Sequence, residues 1–88
     1  MNMKITSIAE LKRIPVGTRL RLVNSLIGPC DKPRTVKKVR SADIIMWTPE
    51  GTDSYLTLKG VSLSPTENGF RLFEKWDGGL CAEYRFED

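Results

Sequence analysis

The sequence predicts a mainly β chain: one short N-terminal helix, then about six short strands curling into a small, partly open barrel. Three observations carry that expectation. A capping-box tetrad, Ser7-Ile8-Ala9-Glu10, stands near the start. From Thr18 onward the apolar residues recur with period two instead of 3.6. Clusters of Gly, Pro, Asn and Asp interrupt the chain at the spacing of short strands and hairpins. The 88 residues supply one core and therefore one domain.

The elements follow in order. Ser7 is the N-cap and Glu10 its partner three residues on. Ile8 and Leu11 share a face, and Lys12 and Arg13 suit the negative end of the helix dipole. Pro15 and Gly17 end the element, which is expected over residues 7–13. Thr18 to Asn24 alternates cleanly, with Leu20 and Leu22 on one side and Arg19 and Arg21 on the other. Gly28, Pro29, Asp31 and Pro33 read as a long irregular loop. A strand follows over residues 34–40, but Val36 and Val39 have opposite parity. A β-bulge near Lys37-Lys38 turns both valines to one core and bends the strand as a small barrel requires.

Ser41-Ala42-Asp43 reads as a tight turn, and Ile44-Ile45-Met46-Trp47 as a central strand covered on both faces. Residues 49–53 form a hairpin loop, residues 54–59 a returning strand, and Val61 with Leu63 a short edge segment ahead of Pro65. Residues 69–76 and 80–86 flank Asp77-Gly78-Gly79, a hairpin signal. In the last strand Leu80, Ala82, Tyr84 and Phe86 face one way, and Cys81, Glu83, Arg85 and Glu87 the other.

Composition excludes several function classes. The chain has no histidine, which removes histidine-based triads, histidine metal sites and a switch near neutral pH. Cys30 and Cys81 stand far apart in sequence, with no second pair, and read as two half-buried thiols in a reducing cytoplasm. No run of apolar residues reaches a membrane span, and the N-terminus lacks the apolar segment of a secretory signal. No nucleophile, base or paired carboxylates stand out. The expectation is a cytoplasmic protein that is not an enzyme, with no metal, no cofactor and no membrane partner.

From Gly17-Thr18 through the strand RLRLV, the long loop, the bent strand TVKKV and the following DIIMW, the chain resembles the front of an SH3-like small barrel. The resemblance covers about half the chain and implies a small SH3-like barrel. SH3-like barrels serve protein binding, RNA binding, DNA binding and purely structural roles. The aromatic pairs of the ALYDY kind that hold polyproline ligands are absent, as is the glycine-rich KOW signature of ribosomal and transcription-factor barrels. In size and style the chain also resembles the small stand-alone proteins of phages and mobile elements. Those include inhibitors of host defence such as anti-CRISPR proteins.

Charge is segregated along the chain. Residues 12–40 hold nine Lys and Arg against Asp31 alone, whereas residues 41–88 hold nine acids against four Lys and Arg. If the strands at 18–24 and 34–40 are neighbours, Arg19, Arg21, Arg34 and Arg40 share an outer face, with Lys37 and Lys38 at the bulge. Such a face steers an anionic partner. The competing expectation is that these cations guard sheet edges or pair with Glu74, Glu83 and Glu87.

The basic half contains no Phe, Tyr or Trp, which weighs against stacking on nucleic-acid bases. Trp47 reads as core. Phe73 breaks the parity of Phe70, Leu72 and Trp76 and is the best candidate for an exposed interface aromatic, but core at a bulge is the favoured reading of it. The reading is a non-catalytic binding module that occupies a surface of an acidic or nucleic-acid-handling protein, as a phage-encoded inhibitor of host machinery does. The alternative is direct contact of the basic face with nucleic-acid phosphates.

Overall fold

The computed structural model describes residues 4–87. One short helix, α1 (Ile8–Leu11), precedes seven strands: β1 (Arg19–Ser25), β2 (Gly28–Val39), β3 (Asp43–Trp47), β4 (Asp53–Thr57), β5 (Val61–Pro65), β6 (Gly69–Glu74) and β7 (Leu80–Phe86). All pair antiparallel in a single sheet of order β4-β3-β2-β1-β7-β6-β5. The expected class is therefore present with seven strands. The two edge strands, β4 and β5, are joined by only Leu58, Lys59 and Gly60, yet they do not pair, so the sheet curls without closing.

The helix is shorter than expected but starts where the capping signal places it. Ser7 Oγ accepts from the Glu10 N–H at 3.2 Å, and the Glu10 carboxylate accepts from the Thr6 N–H at 2.9 Å. The Thr6 hydroxyl, which also donates to this carboxylate, and then the Thr6 N–H hold the Glu10 carboxyl below its ordinary pKa. Leu11 is fully buried and, with Ile5 and Ile14, joins the core formed by the inner face of the sheet. No helix among the described residues is long and apolar enough to cross a membrane.

Three bulges bend the sheet. They lie between Leu22 and Asn24, between Val36 and Lys38, and between Leu72 and Phe73. The second is the one the two valines require. Val36 stands opposite Met46 and Val39 opposite Ile44, so both face the core. On the same inner face Phe70 stacks on Tyr84 with centroids 5.5 Å apart and lies 6.0 Å from Phe86, an arrangement worth more than its area alone.

The loop expected over Gly28–Pro33 is instead the first half of β2, which forms a hairpin with β1 around Leu26-Ile27. The prolines are tolerated because β3 covers β2 only from Thr35 to Val39. Val36 N–H donates to Thr18 O at 2.9 Å, so in the same register Arg34 and Lys32 bond to β1. Pro33 then falls on the uncovered side, where its missing N–H costs nothing.

Two expected outcomes test this packing. Gly69 is buried in β6, and a Cβ there would collide with the Tyr84 carbonyl and stand 2.9 Å from Arg85 Cα. Gly69→Ala is expected to lower stability by about 1–3 kcal/mol or more in urea unfolding. A smaller loss would mean that β6 and β7 lie further apart.

Burial pushes the Tyr84 phenol up to about 12; Arg34 opposes this more weakly, and Cys30 adds to it. The unfolded chain gives up this proton near pH 10, and the folded one does not until about 12. The contribution is therefore whole below pH 10 and lost as pH rises toward 12. Its size is on the order of 2 kcal/mol. Denaturant midpoints at pH 9–11.5 are expected to fall more steeply in the wild type than in Tyr84→Phe; parallel curves would contradict the burial.

Candidate binding face

The outer face of β2, β3 and β4 is built by the bulge in β2. With Val36 and Val39 both committed inward, the two lysines between them are left to the outside. Lys38 stands opposite Ile45, and Ile45 opposite Tyr55. Ile45 is only 8% exposed although it lies outside the core cluster. Its neighbours cover it. Trp47, two residues along β3, shares its face, opposite Thr35 and Asp53. Lys37 Nζ sits 3.9 Å from the centre of the Trp47 ring and 3.0 Å from Asp53 Oδ1.

Trp47 is 43% exposed and Tyr55 58% exposed. The expectation that Trp47 belongs to the core is thus corrected. In the run Ile44-Ile45-Met46-Trp47 only Ile44 and Met46 enter the core, and alternation sends Trp47 outward.

The predicted basic face of six cations is broken up. Arg34 pairs with Leu20 and so lies on the inner face, opposite to Arg19 and Arg21. Its Nη1 donates to Pro33 O at 2.8 Å, and its Nε is buried with no partner among the described residues. Arg40 falls just beyond β2, at the turn into β3, and makes a two-pronged contact with Asp43, at 2.6 Å for each prong. That contact holds the Asp43 carboxyl below its ordinary range.

Arg21 is held between Asp31, at 2.5 Å, and Glu87. Asp31 first and Glu87 second keep its guanidinium more firmly protonated. Lys37 is engaged by Asp53 and Trp47. Arg19 and Lys38 are exposed and hold no ion pair among the described residues. On the other half of the sheet Arg71 pairs with Glu83 at 3.1 Å.

Phe73 is half-buried, opposite Leu80 beside the third bulge. The exposed aromatics that parity within single segments did not flag are Trp47, Tyr55 and Trp76. Trp76 lies in the β6–β7 turn and donates its indole N–H to Glu74 at 2.8 Å. A groove of about 440 Å³ runs beside β4, with Leu22, Leu72, Ala82 and Tyr84 along it and Leu26 and Lys59 at its rim. Among the described residues no cluster of three or more His, Cys, Asp or Glu has the arrangement of a metal site. Cys30 and Cys81 are both free and half-buried, and burial together with Glu74 and Asp77 pushes the Cys81 thiol up.

No protein-family profile, no curated protein and no solved structure matches the chain.

The carboxylates on this face are paired with its cations. Replacing Asp31, Asp43 and Asp53 by Asn and Glu87 by Gln together frees Arg21, Arg40 and Lys37 from the carboxylates that hold them. The variant is expected to elute from a heparin column at higher salt than the wild type. Its affinity for single-stranded DNA should fall more steeply with salt, by about 0.7 in log–log slope for each liberated cation. Unchanged elution and slope would show that these pairs do not mask the cations.

Proposed function

We propose that the chain is a non-catalytic binding module that presents the outer face of β2–β4 to a protein partner. The observation that carries this reading is Trp47 with Lys37 over its ring, beside an exposed Tyr55, on a three-stranded surface. Trp and Tyr set on a rigid sheet are among the residues that anchor protein interfaces. The surrounding charges are of both signs, which favours a protein surface of mixed charge over a polyanion. A module of this size acts by covering part of a larger protein. The inhibitors found among small phage and mobile-element proteins work in that manner, and nucleic-acid-handling machinery is the kind of target such a module fits. The two free thiols are in keeping with a reducing, cytoplasmic setting.

A second reading, direct binding to single-stranded nucleic acid, has one specific observation in its favour. Sequence order separates the aromatics from the cations, but the sheet brings Trp47 and Tyr55 beside Lys37 and Lys38, and stacking platforms next to cations bind bases. Against it, Arg21, Lys37 and Arg40 already hold carboxylates.

The test runs both readings together. Affinity capture with the wild type is expected to recover a protein that a Trp47→Ala/Lys38→Glu bait of unchanged circular dichroism does not. Labelled single- and double-stranded DNA and RNA are expected to bind no more tightly than about 10 µM at about 200 mM salt. Tight, salt-sensitive nucleic-acid binding that the double variant loses would overturn the protein-partner reading in favour of the second.

A further inference from the structure

The hydrogen-bond phase of the two sheet edges differs in a way that selects one of them for pairing. Along β3 and β4, Leu58 N–H donates to Ala42 O at 2.9 Å, and Thr48 N–H to Thr52 O at 2.9 Å. Both pairs fall in the register that sets Ile44 opposite Leu56 and Met46 opposite Ser54. Ser54 and Leu56 therefore spend their backbone groups on β3. The N–H and C=O groups of Asp53, Tyr55 and Thr57 point away from it, toward an edge with no strand neighbour.

Along β5 the same reasoning applies. Lys75 N–H donates to Gly60 O at 3.1 Å and Thr66 N–H to Gly69 O at 3.0 Å. Val61, Leu63 and Pro65 are then the outward positions. Pro65 has no N–H to offer, so the β5 edge carries its own guard. The β4 edge, Asp-Ser-Tyr-Leu-Thr, has no proline, no lysine and no bulge.

We propose that two copies of this chain pair antiparallel through their β4 edges, about a two-fold axis at Tyr55. That register is self-complementary. Tyr55 faces the second copy's Tyr55 and exchanges two backbone hydrogen bonds with it. Asp53 faces Thr57, so no like charges oppose each other. Lys59 meets Gly51 in the second copy's 48–52 turn, next to Glu50. On the inner side Ser54 faces Leu56, both of which line the groove. Two Tyr rings across an antiparallel pair add favourable side-chain contact. The inference is independent of what the outer face binds, and it makes that face continuous across the pair.

The two-fold axis supplies the test, because a residue on it opposes itself. Light scattering and sedimentation from about 10 µM to about 500 µM are expected to show wild-type mass rising toward twice the chain mass of 10.0 kDa. Tyr55→Lys and Tyr55→Glu each place like charges in contact. Each alone is expected to remain monomeric with wild-type circular dichroism. Their equimolar mixture is expected to recover the doubled mass, at least about tenfold tighter than either variant alone. A wild type that stays monomeric throughout would overturn the proposal and leave the edge to a different partner. Single variants that dimerise as the wild type does, or a mixture that fails to recover, would overturn the axis at Tyr55.

Discussion

The bulge at Lys37 is the constraint on which the rest of the arrangement depends. A regular strand cannot turn both Val36 and Val39 inward, since they are three residues apart. The bulge inserts one residue, and both valines then meet Met46 and Ile44 in the core. The inserted residue is what projects Lys37 onto Trp47 and Asp53, and it sets Lys38 against Ile45 on the outside. A packing requirement of the core thus places two cations beside the aromatic pair on the opposite face. The same distortion adds bend to a strand at the middle of the sheet's basic half, helping to bring the β4 and β5 edges round toward each other without closing them.

Charge distribution shows how topology redistributes what sequence order separates. The basic segment forms β1 and β2, and its neighbours in the sheet are β7 on one side and β3 on the other. Both come from the acidic segment. Arg21 therefore meets Glu87 just beyond β7, and Lys37 reaches across β3 to Asp53 on β4, while Arg40 and Asp43 are three residues apart and pair across a turn. Exposed pairs of this kind add little to stability. A phosphate approaching these cations would have to displace a carboxylate that is already in place. A protein partner can use the same mixed surface with charges of either sign.

How much was legible depended on whether a feature is local. Ser7 and Glu10 mark the helix start through their own spacing. The parity conflict of Val36 and Val39 demands a bulge, and Asp77-Gly78-Gly79 sets the β6–β7 turn, where Gly78 adopts φ 73°. Each is a statement about neighbouring residues. Arg34 and Trp47 were misread because their faces depend on register, and a shift of one residue exchanges the two faces of a strand. Arg34 has the parity of Val36, which the core claims, and so pairs with Leu20 instead of Arg19. The Gly28–Pro33 segment looked like a loop because its residues are turn formers. It becomes strand where one side is left uncovered and proline is harmless. The open β4 edge has no signature in sequence at all, since it is defined by the strand that is missing beside it.

The central claim is that one bulge commits both valines to the core and both lysines to the aromatic face. The most direct measurement is a set of nuclear Overhauser contacts on isotope-labelled protein, read with the chemical shifts of the Lys37 side chain. The account predicts contacts from the methyls of both Val36 and Val39 to Ile44 and Met46, together with Lys37 ε-protons moved upfield by the Trp47 ring. Contacts to the core from only one valine, with Lys37 shifts at their ordinary values, would show a regular strand and contradict the account.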